Sequence, residues 1–270
     1  MVEAAPRESA RRPVAFRGGG FQPGRARWVA PVVFLLILGV WEAGTRTGVI
    51  SALTLPRPSG VAATFAQLWE SGLLFKHLVP SITRLIVGAV IGVGAGVAVG
   101  FAIGLFTLVR AGLAPLIAAI FPIPKIALLP LFVIWFGIGE PSKYALIAFG
   151  AFTPTVVSTW GAVDNVDRTL IRMGQSFGMP WGAIVAKIVF PGALPGILSG
   201  LRVSLAIAII LLVAAEMLGA EYGVGAYILE AGALYDLDRL FAGVLILSAM
   251  GLTVGFLVGL AERRLLGWRG

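Results

Sequence analysis

Long stretches of this chain run on in apolar side chains with almost no charge, and few features leave a polypeptide so little choice of fold. A helix of about 20 apolar residues crosses a bilayer core, where backbone groups find no water and must satisfy one another. Six such stretches can be read, at about 28–44, 81–109, 112–139, 144–160, 196–217 and 240–260. The interval 51–80 mixes proline, serine and charge, and reads as a loop with a short amphipathic helix. Composition agrees: 58% of the 270 residues are hydrophobic and 13% are charged, about half the charge a soluble surface carries. The expected fold is all-α, a polytopic membrane protein with six transmembrane helices.

The net charge of +8 matters less than where it falls. Segment 1–27 holds Arg7, Arg11, Arg12, Arg17, Arg25 and Arg27 with almost no apolar periodicity, and reads as a disordered cytoplasmic tail. Its length, and the lack of a small-residue cleavage pattern after the first apolar run, make that run an uncleaved anchor. With the N-terminus inside, Arg110, Arg168, Arg172, Lys187, Arg263, Arg264 and Arg269 join the tail arginines on one side, thirteen cations in all. The other side receives Arg46, Arg57, Lys76, Arg84, Lys143 and Arg239, six in all. Cytoplasmic loops collect arginine and lysine, so the expected orientation is N-in and C-in. The polar interval 161–195 then lies in the cytoplasm, and 28–270 forms one transmembrane domain.

Within the spans, Gly88, Gly92, Gly96, Gly100 and Gly104 repeat every fourth residue. That spacing puts them on one helical face, a smooth surface for close helix packing. Gly251, Gly255 and Gly259 are expected to do the same in the sixth span. Pro115, Pro122, Pro124 and Pro130 interrupt the third span. Broken helices of this kind line substrate pathways in some transporters and are merely kinked in others. Lys125 among those prolines and Glu216 at the end of the fifth span are charges at membrane depth, which ordinarily have a partner or a role. Pro124, Lys125, Pro130 and Glu216 are therefore candidates for a translocation path. For Lys125 the competing reading is a side chain reaching the cytoplasmic interface. Arg84 and Arg202 lie near span starts, where they can extend to the headgroups.

Enzymatic chemistry finds no footing. Cysteine is absent and the one histidine, His77, sits in an external loop where a solvated or structural role is expected. No nucleophile elbow or zinc-protease motif occurs, and no metal site is expected. The four lysines follow Phe75, Pro124, Ser142 and Ala186, never glycine, so a phosphate-binding P-loop is absent. Any ATP that drives this chain is hydrolysed on another.

The inner loop contains a short helical stretch over 168–177, then Gly178 and Pro180, then a second stretch reaching Pro191. Arg172-Met173-Gly174, Gly178 and Ile188-Val189-Phe190-Pro191 carry the spacing of the coupling loop of binding-protein-dependent ABC importer permeases. The glycine, isoleucine and proline are in register, whereas Arg172 stands where that pattern has an acidic residue. "LPRPSGV" at 55–61, "IPKIALLPLFVIWFGIGEPSK" at 123–143 and "FPGALPGILSGLRVSLAIA" at 190–208 resemble the taurine, alkanesulfonate and nitrate branch.

This resemblance implies a type I importer permease in the inner membrane of a bacterium. It implies a second, identical permease copy, a cytoplasmic ATPase dimer carrying ATP and magnesium, and an external substrate-binding protein. The substrate would be a small organic or inorganic anion. Arg168, Arg172, Met173, Gly174, Phe177, Gly178, Ile188 and Pro191 would couple the permease to the ATPase. No cofactor on this chain and no nucleic acid is expected. A stand-alone secondary transporter or channel is the alternative reading.

Overall fold

The computed structural model describes residues 28–51 and 53–267; the expected tail at 1–27 lies outside them. Among the described residues the secondary structure is entirely helical. Five helical runs are long and apolar enough to cross a membrane: α1 (Val29–Arg46), α3 (Leu73–Leu105), α6 (Glu140–Asp164), the continuous run Trp181–Met217 and α11 (Leu237–Leu265). The pair Thr107–Ile120 and Lys125–Phe136, bent by 95°, makes a sixth when counted as one span.

Several boundaries differ from those read in the sequence. Most of 51–80 is helical: α2 (Pro58–Glu70) is followed by a turn at Gly72, and α3 begins at Leu73 and passes through Pro80. A proline forfeits one backbone bond, and here the apolar packing of Leu74 and Leu78 against Val224, Tyr227, Ala242 and Ile246 outweighs it. The third span is two helices. α4 (Thr107–Ile120) tolerates Pro115 inside it, while Pro122 and Pro124 fall in the break. Pro130 starts α5 (Leu129–Phe136), where its missing N–H costs nothing.

After α7 (Arg168–Ser176), the second half of 161–195 is an extension of the fifth span. α8 (Trp181–Ile184) continues through a wide π turn, Val185–Val189, into α9 (Phe190–Met217). That turn precedes Pro191, whose nitrogen cannot continue the α-helical ladder. The chain closes with α10 (Val224–Ala233) and α11.

The glycine repeat of α3 lies against α6. A Cβ on Gly88 would meet Ile147, on Gly96 Thr155, on Gly104 Val163, so the two helices run parallel. Along α6, Gly150, Ser158 and Ala162 meet Leu211, Gly200 and Gly196 of α9 in turn, so α9 runs antiparallel to α6. The repeat in α11 behaves otherwise. Nothing lies within 4 Å of a Cβ on Gly255, and the nearest atoms to Gly251 and Gly259 are side-chain tips at 4.0 and 3.9 Å. Both tips, of Ile209 and Arg202, belong to α9, so this face meets α9 loosely and is not the close seam expected.

Two apolar clusters mark opposite ends of the bundle. One joins Val61, Leu74, Val224, Tyr227 and Ala242. The other joins Ala162, Val166, Ile184, Val189 and Ala193 beneath the α6–α9 connection, with Val97, Phe101 and Leu105 from the far end of α3.

Candidate functional site

The α6–α9 connection is built to project a short helix. Asp167 starts α7, its carboxylate accepting from the Thr169 N–H at 2.7 Å. The helix ends at Gly178, whose φ of +70° is the left-handed conformation that favours glycine. Gly178 N–H donates to Gln175 O at 2.9 Å and Met179 N–H to Gly174 O at 3.0 Å. This paired closure is the Schellman motif, and it turns the chain into Pro180 and α8.

Gly174 is the buried point of contact. A Cβ there would sit 3.0 Å from Ile188 and 3.4 Å from Ile184, so α7 rests directly on the fifth span. Around it Met173, Gly174, Phe177, Ile188 and Pro191 line one apolar groove of about 370 Å³. Phe177 is 80% exposed, and Leu170, Met173 and Trp181 are also exposed. Arg168 and Arg172 lie one turn apart on α7, exposed and outside the groove lining. Exposed apolar patches with a polar rim mark protein–protein or membrane interaction sites.

The other candidates are dispersed. Lys125 sits at the bend of the third span, its Nζ donating to Phe121 O at 3.1 Å. Pro124 and Pro130 are exposed nearby. Glu216 is 1% exposed, at the opposite end of the molecule from α7. There its carboxylate accepts from Ser81 Oγ at 2.7 Å, Arg84 Nη1 at 2.8 Å and Gly225 N–H at 2.8 Å.

Arg84 is the residue whose placement the sequence reading mistook. Because α3 starts earlier than expected, Arg84 lies inside the helix and is 4% exposed, and does not reach toward headgroups. Its Nε and Nη2 donate to the two oxygens of Glu140 at 2.7 and 2.6 Å, and Nη1 also donates to Tyr222 O at 2.6 Å. One guanidinium thus ties α3, α6 and α9 together where α6 begins. A charge in an apolar run signals a partner, but nothing in the sequence says which carboxylates are near. His77 lies beside this knot, its Nδ1 3.0 Å from Gly223 O, in a structural role. Arg202 pairs with Glu262 at 2.9 Å. No cluster of three metal-ligating side chains occurs among the described residues.

Residues 88–267 match the family described as binding-protein-dependent transport system inner membrane component. The chain is 37% identical over 251 residues to a Bacillus subtilis protein named as an aliphatic sulfonates transport permease, covering 92% of this chain and 91% of that one. It is 36% identical to the riboflavin transport system permease of Chloroflexus aurantiacus, over 90% of this chain and 92% of that one. It is 35% identical to the taurine transport system permease of Escherichia coli, over 87% of each. Among solved structures, a methionine ABC transporter in an inward-facing conformation superposes with a TM-score of 0.62 at 21% identity, covering 72% of this chain and 96% of that one.

Proposed function

The chain belongs to the family of binding-protein-dependent transport system inner membrane components, a permease subunit of an ABC importer, and from that premise we propose how it couples to its partners and what it carries. The α7 surface is the docking point for a cytoplasmic ATPase that binds ATP and magnesium. Closure of the ATPase dimer pushes on α7, and the rigid contact of Gly174 with Ile184 and Ile188 transmits the push into the fifth span. The observation that carries this reading is the exposed Met173–Phe177 stripe on a capped helix whose exit is fixed by Gly178. Arg168 and Arg172 face an acidic or backbone-carbonyl surface on that partner, since a cation replaces the acidic residue of the resembling pattern.

The orientation is N-in and C-in, in a bacterial inner membrane. Residues 28–270 form the permease domain, and a second copy completes the pore. An external binding protein delivers substrate, and selection rests largely with it. Pro124, Lys125 and Pro130 at the bent third span border the path, and Glu216 holds its outer end in shape. A small sulfonate is the substrate favoured by the motifs shared with the sulfonate and taurine branch. Identities of 37%, 36% and 35% to sulfonate, riboflavin and taurine permeases do not by themselves separate these solutes.

The test is Gly178→Asp. An aspartate strains the left-handed turn and adds a carboxylate to the exposed end of α7, next to Phe177. The variant is expected to insert normally and to lose substrate-stimulated transport by at least tenfold. Wild-type transport by Gly178→Asp would remove α7 from the coupling role.

A further inference from the structure

The bend of the third span holds a charge far from either end of the bundle. Before the bend, Ile117 of α4 joins the apolar cluster of Ile103 and Val156. After it, Leu129 and Phe132 of α5 join the cluster of Leu146 and Leu211. At about 1.5 Å per residue, Leu146 and Val156 lie about 9 and 12 Å from the nearer ends of α6. The turn Lys125–Leu128 between these contacts packs on α6 and α9, so Lys125 is held near the middle of the span. Its Nζ donates back to Phe121 O at 3.1 Å and stands 5.6 Å from the centre of the Phe121 ring, directed to neither end.

Other charges within the spans are paired. Arg84 and Lys143 meet Glu140, Glu216 meets Arg84, and Arg202 meets Glu262. Lys125 meets no carboxylate among the described residues and is half-buried. A charge at membrane depth is costly, and where it lacks a partner it marks a solute pathway. Pro122 and Pro124 fall in the break, and Phe121 O is left at the end of α4, where a helix carbonyl has no partner within the helix. That carbonyl fixes the ammonium without neutralising it, so the positive charge stays available. Around it Phe121, Ile123 and Ile126 are exposed. A single cation in an apolar surface suits a solute with an anionic head and an apolar tail. An inorganic anion would use only the cation, and a neutral solute only the apolar part.

We infer that Lys125 is the specificity-determining residue of this permease, favouring a small organic anion of the alkanesulfonate type as it passes the middle of the membrane. This rests on the permease reading given under the proposed function, and is independent of which end faces the cytoplasm.

The test uses the full permease–ATPase complex in proteoliposomes with the binding protein encoded beside it, reading ATP-dependent uptake of butanesulfonate. Lys125→Gln, whose amide can still donate to Phe121 O, is expected to keep the unfolding temperature and to lower uptake about tenfold, as loss of a partly desolvated charge contact does. Lys125→Cys, in a chain with no other cysteine, is expected to be equally impaired. It should react with water-borne 2-aminoethyl methanethiosulfonate and regain uptake, because a cation is restored. Methyl methanethiosulfonate, which adds an uncharged cap, should restore nothing; the wild-type complex treated alike measures reagent effects on the partner subunits. A merely structural lysine would be rescued by neither reagent or by both alike, and either result would overturn the inference. Wild-type uptake by Lys125→Gln would refute it, and if that variant unfolds earlier the rescue of Lys125→Cys decides. Modification of Lys125→Cys by N-ethylmaleimide but not by the charged reagent would put the side chain against lipid and also refute it. Uptake of riboflavin without butanesulfonate by the wild type would overturn the role of Lys125 alone. No ATP-dependent uptake of butanesulfonate, taurine or riboflavin would overturn the functional reading itself.

Discussion

Gly92 shows how little room α3 leaves. A Cβ there would lie 2.2 Å from Ala148 O and 2.9 Å from its carbonyl carbon, backbone atoms that cannot swing aside. Gly94, two residues on, meets nothing within 4 Å. Gly92→Ala is expected to cost about 3 kcal/mol by forcing α3 from α6, and Gly94→Ala to be neutral or gain up to about 1 kcal/mol. Thermal unfolding in detergent distinguishes them. Arg84 obeys a different logic. Glu216→Gln leaves the guanidinium paired with Glu140 but weakens the buried acceptor of Ser81, Arg84 and the Gly225 N–H, and should destabilise by about 2 kcal/mol. Adding Arg84→Met to Glu216→Gln should destabilise further, because it also removes the two hydrogen bonds that Arg84 donates to Glu140. A double variant that unfolds later than the single would contradict the role of Arg84 in tying the three helices.

At the scale of elements, the spacing of residues revealed more than their individual types. The four-residue glycine period placed the close face of α3 because the helical repeat itself makes such a face. The same period in α11 makes only a loose seam with α9, since spacing creates a smooth face without stating how closely a neighbour approaches it. Helix ends were less legible. Pro80 looks like a stop, yet α3 continues through it because packing over several turns outweighs one missing bond. Pro130 looks like a kink and is a start. The α7 unit was readable because Gly178 and Pro180 are punctuation that few other local structures use. The Arg84–Glu140–Glu216 knot was not, since its members lie 56 and 132 residues apart. Phe177→Ala should leave the unfolding temperature unchanged, its side chain being exposed, while weakening retention of the ATPase at least tenfold on a tagged permease. Equal retention would move the contact elsewhere on the loop.

At the scale of the whole molecule, the parallel α3 and α6 and the antiparallel α9 give the bundle two distinct ends. The α7 surface belongs to one, and the Arg84 knot to the other. A chain without cysteine makes the assignment of sides simple to examine. With intact cells and a membrane-impermeant maleimide, Leu234→Cys should be labelled and Met173→Cys should not. Both positions are exposed, so access to the surface is not what separates them. The reverse pattern would invert the molecule and every partner assigned to its ends.

Drive by ATP hydrolysed on a separate chain bound at α7 is tested most directly by purifying the tagged permease from its native membrane in mild detergent and quantifying what accompanies it. A soluble subunit bearing a phosphate-binding P-loop, near one per permease, is expected, as is its loss from Gly178→Asp. A permease that emerges alone, and moves solute in liposomes without ATP, would contradict it.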